Sequence, residues 1–136
     1  MANILESQIL SEGQRNLVIK ITGVVDTNDI QQHNFISLNS IKSNDERSTL
    51  VGLRVDEITY SISSEMEAHL EWDSDNPQQI ALLAGFGEFC AEEMGGLLPD
   101  RNRSGYSGGI NLHTYGYVPG SVSGFTIILE LVKLYA

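Results

Sequence analysis

The chain has 136 residues and a formal charge of −10, eight Lys and Arg standing against eighteen Asp and Glu. That length fits a single domain spanning 1–136, and an apolar fraction of 41% is too high for a disordered chain. So acidic a surface repels phosphate backbones and anionic lipid, so neither nucleic acid nor membrane is expected as a partner.

The N-terminal Met1-Ala2-Asn3-Ile4-Leu5-Glu6 has no basic stretch leading into a long apolar run, so no secretory signal is expected. From there the dominant pattern is alternation with period two, the mark of half-buried strands. A first strand is expected over Leu5–Leu10, closed by Glu12-Gly13. In a second, Leu17, Ile19 and Ile21 alternate with Val18, Lys20 and Thr22, before Thr27-Asn28-Asp29 signals a turn. Strands are expected next at Phe35–Ile41 and Leu50–Ser63, separated by the polar turn Lys42-Ser43-Asn44-Asp45-Glu46. The clearest alternation is Glu65 to Trp72. Met66, Ala68, Leu70 and Trp72 fall on one face, and Glu65, Glu67, His69 and Glu71 on the other. Asp73-Ser74-Asp75-Asn76-Pro77 is a turn signal, and a strand over Ile80–Gly85 follows. The composition of Ala81–Met94 is compatible with a helix, but Gly85 and Gly87 argue against one.

From Gly95 to Gly109 the chain is expected to form a long loop. It carries Arg101 and Arg103, two of the eight basic residues, and such loops on β-scaffolds often carry recognition. A strand over Ile110–Val118 and the turn Pro119-Gly120 lead to the last strand. There Phe125, Ile127, Leu129 and Leu131 oppose Thr126, Ile128, Glu130 and Val132. Apolar residues on both faces place this strand in the middle of a sheet, or set one face against a partner. About eight strands with frequent turns imply an all-β fold, an antiparallel β-sandwich or barrel.

Chemistry-bearing residues are sparse. Cys90, the only cysteine, excludes an internal disulfide and fits a reducing compartment. Its neighbours Glu88, Glu92 and Glu93 are acidic, so a buried, structural Cys90 is expected rather than an activated thiolate. The three histidines, His33, His69 and His113, share no metal-site spacing. His69 lies between Glu67 and Glu71 on a strand face and would need His113 from a neighbouring strand to hold a cation. Glu65, Glu67 and Glu71 repeat on what should be an open face, unlike a glycosidase pair, which needs a cleft. Asp73-Ser74-Asp75-Asn76 opens like a calcium loop but lacks the later Gly and Glu. The Gly-rich stretches at 105–109 and 116–120 lack the Lys and Ser/Thr of a phosphate loop. No catalytic residue, metal or cofactor is therefore assigned, and the chain is not expected to be an enzyme. Trp72, Tyr106, Tyr115 and Tyr117 suit either a sugar-stacking platform or a protein interface, with core packing favoured for Trp72.

One longer pattern is more specific. Leu53-Arg54-Val55-Asp56-Glu57-Ile58-Thr59-Tyr60-Ser61-Ile62 leads to Leu70-Glu71-Trp72-Asp73, then to Gly85-Phe86-Gly87-Glu88-Phe89 and Gly95-Gly96-Leu97-Leu98-Pro99-Asp100. Ser107-Gly108-Gly109-Ile110-Asn111-Leu112-His113-Thr114 and Phe125-Thr126-Ile127-Ile128-Leu129-Glu130-Leu131 complete it. In order and character this resembles the head decoration, or cement, proteins of short-tailed bacteriophages. The resemblance spans roughly residues 50–134 and, more loosely, 15–41. It implies a jelly-roll-like sandwich, a homotrimer, the major capsid protein as partner, and a place on the virion's outer surface after synthesis in the bacterial cytoplasm. The residues expected to touch a partner are Arg101, Arg103, Tyr106, Tyr115, Tyr117, Ile128 and Val132. The alternative is a carbohydrate-binding β-sandwich module of a phage fibre or similar assembly.

Overall fold

The structure is a computed structural model that describes residues 3–41 and 49–136. The turn expected at Lys42–Glu46 lies outside the described residues. Nine strands are present among them: β1 (Ile4–Glu12), β2 (Asn16–Val25), β3 (His33–Ile36), β4 (Leu50–Ile62), β5 (Glu67–Trp72), β6 (Gln78–Ala84), β7 (Phe86–Cys90), β8 (Ile110–Tyr115) and β9 (Ser123–Tyr135). They form two antiparallel sheets, ordered β1-β2-β9-β4-β7 and β3-β8-β5-β6.

The pairing is nested. β2 pairs with β9, β3 with β8, β4 with β7 and β5 with β6. The chain behaves as one long hairpin rolled over on itself, which is the jelly-roll arrangement of a double-sheet sandwich. β1 is an addition outside this nest, joined to β2 alone.

The core is the layer between the sheets. Leu17, Ile19, Ile21 and Val25 of β2 and Phe125, Ile127, Leu129 and Leu131 of β9 line it from the first sheet. Ala68, Leu70 and Trp72 of β5 and Ile110 and Leu112 of β8 line it from the second. Burying each large aliphatic side chain stabilises the fold by about 1.5–3 kcal/mol. β4 reaches the same layer despite a broken alternation. A bulge between Val55 and Glu57 inserts Asp56, so Leu53 and Val55 point inward before it and Ile58 and Ile62 after it. As its two apolar faces imply, β9 lies mid-sheet between β2 and β4.

Several boundaries differ from expectation. The strand expected over Phe35–Ile41 begins at His33 and stops at Ile36, because Ser37–Ser40 closes into a 3-10 turn in which Ser40 Oγ donates to the Ser37 carbonyl. Glu65 does not share a strand face with Glu67. It sits in the turn before β5 with φ +69°. β8 ends at Tyr115 because Gly116 adopts φ +94° where a Cβ would strike the Glu65 carbonyl. β7 replaces the tail of the helix-compatible stretch, and Gly87 within it leaves room for the Tyr60 ring across the strand pair. Cys90 is exposed, not buried. It stands opposite Glu57 on the outer face of an edge strand, and its neighbour Ala91 takes the buried position.

Among the described residues six buried ones are polar or charged, and Lys133 is one of them. Lys133 lies on the inward side of β9 with its side chain 0% exposed, and its Nζ donates to Glu12 Oε2 at 3.0 Å and to the Gly13 carbonyl at 2.8 Å. The pair ties the β1–β2 turn to the last strand. Lys133→Met keeps the length but leaves the Glu12 carboxylate largely desolvated without its cation, so a loss of about 3 kcal/mol is expected. Urea denaturation of the two forms at neutral pH measures it.

Candidate interaction surface

The two sandwich faces differ in chemistry. The outer face of the four-stranded sheet is a fixed polar lattice. Asn34 Nδ2 donates to Asn111 Oδ1 at 2.8 Å, Asn111 Nδ2 to Asp73 Oδ1 at 2.9 Å, and Ser107 Oγ to Asp73 Oδ2 at 2.6 Å. Farther along, Gln79 Nε2 donates to Glu71 Oε2 at 2.9 Å. His69 and His113 stand directly opposite each other on β5 and β8, as a shared cation site would require. The Nε2 of each ring, however, turns to a carboxylate on β5. His69 Nε2 lies 3.0 Å from Glu67 Oε2, and His113 Nε2 lies 3.0 Å from Glu71 Oε1 without hydrogen-bond alignment. Among the described residues no group of three or more His, Cys, Asp or Glu is placed to hold a metal ion. Tyr115 packs its ring against both, with centroids 4.4 Å from His69 and 6.0 Å from His113.

The long loop is anchored rather than loose. Leu97 exchanges backbone hydrogen bonds with Val55 at 2.8 and 2.9 Å. The Asp100 N–H donates to Gln78 Oε1. Ser104 Oγ donates to Asp75 Oδ2 at 2.9 Å, and Arg103 donates to the Asn76 carbonyl at 2.8 Å while its Nε stands 3.8 Å from Asp100. The acidic turn that opens like a calcium loop thus spends Asp73 and Asp75 on the hydroxyls of Ser107 and Ser104. Tyr106 donates its hydroxyl to the Val51 carbonyl. Burial raises the Tyr106 pKa, and the charge of Arg101 partly offsets that. A concavity of about 520 Å³ opens on the other sheet, lined by Glu6, Thr22, Val24, Ser61, Gly124 and Thr126 among others. One of about 620 Å³ lies beside the loop, lined by Leu38, Pro99, Arg101 and Tyr106 among others.

The seven expected partner residues do not form one patch. Arg101 is exposed on the loop, whereas Arg103 and Tyr106 fasten it. Tyr117 donates its hydroxyl to the Asp26 carbonyl and its N–H to Asp29 Oδ1. Tyr115 stands on the polar face. Ile128 and Val132, half-buried, lie on the opposite outer face, alternating with buried Ile127, Leu129 and Leu131. Trp72 is in the core, so the four aromatics make no common stacking platform.

Sequence reasoning passed over the large apolar side chains at the margins of the five-stranded sheet. Phe86 is 86% exposed on β7, and Ile4, Ile9 and Leu10 are 57%, 45% and 46% exposed on β1. The outer face beside β7 is crowded with carboxylates. Glu57 pairs across the strands with Glu130, and Glu88 shares a hydrogen bond with Glu57 that, together with like-charge repulsion, raises the Glu88 pKa. No family model, no curated protein and no solved structure matches the chain. The fold and this surface therefore carry the functional argument.

Two outcomes follow from this geometry. Asp73→Ala leaves Ser107 and Asn111 without their acceptor, at a cost of about 1–3 kcal/mol, and limited trypsinolysis should show faster cleavage after Arg101 and Arg103. For Glu88 the raised folded-state pKa means that stability present at low pH is lost as pH rises through that pKa. Glu88→Gln should therefore be more stable than the parent at pH 7, and the difference should vanish near pH 4, measured by denaturant midpoints at the two values.

Proposed function

We propose that the chain is a virion structural protein that binds the outer surface of a bacteriophage capsid and stabilises it. The observation that carries this reading is the exposed apolar margin of the five-stranded sheet, with Phe86 on one edge strand and Ile4, Ile9 and Leu10 on the other. A surface of net charge −10 has no solubility reason to display such groups, and they fit a protein that works through contact. The anchored loop presenting Arg101 adds a positioned cation to that surface, and the jelly roll agrees with the resemblance to decoration proteins. The major capsid protein is the proposed partner and a trimer the proposed state, the latter on the resemblance alone. The reading assigns no catalytic step. Stabilisation would act by linkage, since a protein that binds the assembled shell but not its broken forms shifts the balance toward the shell. Many copies on one particle would add avidity.

The sugar-binding alternative keeps only Tyr115 of its platform, flanked by His69 and His113, and is the weaker reading.

Cosedimentation with undecorated, assembled phage heads from the genome carrying this gene tests the proposal. Saturable binding and a shell that disrupts at higher temperature are expected, and Arg101→Glu should weaken binding about tenfold, near 1.4 kcal/mol. Absence of binding at high micromolar concentration would overturn it.

A further inference from the structure

Among the described residues the four sheet margins are β1 and β7, β3 and β6. Three of them carry protection of the kinds that keep edge strands from pairing. β3 has four residues and an irregular register, β6 is irregular opposite Leu70 and Glu71, and β7 has five residues and includes Gly87 and Glu88. β1 differs. It runs for nine residues, contains no proline or lysine, and has its only irregularity between Ile9 and Ser11, which leaves Ile4–Ile9 regular. It is also held firmly. At its start Asn3 Oδ1 accepts from the N–H groups of Asp26 and Thr27 while Asn3 Nδ2 donates to the Asn28 carbonyl, and at its end Glu12 pairs with Lys133. A clamped edge, regular over Ile4–Ile9 and with a row of backbone donors and acceptors that no other described strand pairs, needs little ordering to accept another strand.

We infer that β1 pairs antiparallel with β1 of a second copy about a two-fold axis through Ser7, joining two five-stranded sheets into one. The sequence of the edge chooses both occupant and register. A two-fold pairing of identical antiparallel strands keeps each face continuous and places one residue opposite itself. Centred on Glu6, it opposes two carboxylates. Centred on Gln8, it sets Ile4 against Glu12 and Glu6 against Leu10. Centred on Ser7, it opposes Leu5 to Ile9 on one face and Glu6 to Gln8 on the other, and brings Ile4 toward Leu10. Apolar groups then meet one another, half-buried Leu5 against exposed Ile9 and exposed Ile4 toward exposed Leu10, and no like charges stand directly opposite across the junction. Ser7 itself is exposed and small, so nothing obstructs the axis. The contact does not rest on the capsid reading. It takes up Ile4, Ile9 and Leu10 of β1 and leaves Phe86 on the opposite edge strand and Arg101 on the loop for a capsid contact.

Cysteine cross-linking reads the register directly. Opposed residues of such a pair have Cα atoms about 4.5–5.5 Å apart, within disulfide reach, whereas residue 8 and its symmetry mate are offset beyond it. In a Cys90→Ser background, which removes the exposed native thiol, oxidised Ser7→Cys should run as a covalent dimer on a non-reducing denaturing gel, and Gln8→Cys should remain largely monomeric. Ser7→Arg, which opposes two guanidinium groups across the axis, should halve the sedimenting mass while circular dichroism stays unchanged. Equal cross-linking of the two cysteine variants, or a Ser7→Arg mass equal to that of the parent, would overturn the inference. Capsid cosedimentation is a separate measurement, so failure of one proposal is distinguishable from failure of the other.

Discussion

The structure depends on β9. It runs between β2 and β4, pairs with each along nearly its whole length, and sends Phe125, Ile127, Leu129 and Leu131 into the layer between the sheets. Because it follows the other eight described strands in sequence, neither neighbour can complete its pairing in the five-stranded sheet until β9 has been made. Every other pair in the nest lies inside the β2–β9 pair in sequence, so closing that pair fixes the two ends of the roll. The energetic weight is apolar. The four inward side chains of β9 contribute several kcal/mol by burial. An ion pair such as Arg54–Asp56, whose arginine is 30% exposed, contributes less than about 1 kcal/mol. Lys133 is the exception, since its cation is buried and its loss would strand Glu12.

Much of the fold is legible in the sequence because a sandwich writes its inside and outside into alternate residues. Glu67 to Trp72 and Phe125 to Leu131 show this most clearly, and in both the inward set is the apolar set. Legibility fails where the backbone leaves the regular pleat. The Asp56 bulge shifts the phase of β4, so a strict count of every second residue assigns its two halves to different faces. Glu65 continues the alternation on paper but belongs to a turn with positive φ. β7 is five residues long and contains a glycine, so neither periodicity nor propensity marks it, and with it went the exposure of Cys90. Strand pairing is not local information, and the nest appears only with the structure.

The surface was less readable than the fold, for a physical reason. Arg103, Tyr106 and Tyr117 are residue types enriched at interfaces, but the same long side chains with donor tips also suit the fastening of a loop to a scaffold. Here they fasten, through the carbonyls of Asn76, Val51 and Asp26. The acidic turn at Asp73 and Asp75 has the same double meaning, and its carboxylates serve as hydrogen-bond acceptors for serines thirty or so residues away in sequence. What composition cannot disclose is which polar groups are already satisfied within the chain. Arg101 is distinguished from Arg103 only by that.

The placement of charge bears on where this chain can meet anything. A molecule of net charge −10 resists contact with its own copies wherever carboxylates gather, and they gather beside β7, where Glu57, Glu88 and Glu130 already repel one another. The polar face of the other sheet is internally bonded through Asn34, Asn111, Asp73, Ser107, Gln79 and Glu71, so covering it would bury polar groups with little apolar burial in return. β1 is the margin where both costs are low. Between Ile4 and Ile9 it carries one carboxylate among three large apolar residues, and its backbone polar groups along the free edge gain partners on pairing. Electrostatics and hydrogen bonding therefore favour the same edge, the one strand that the nested pairing leaves outside.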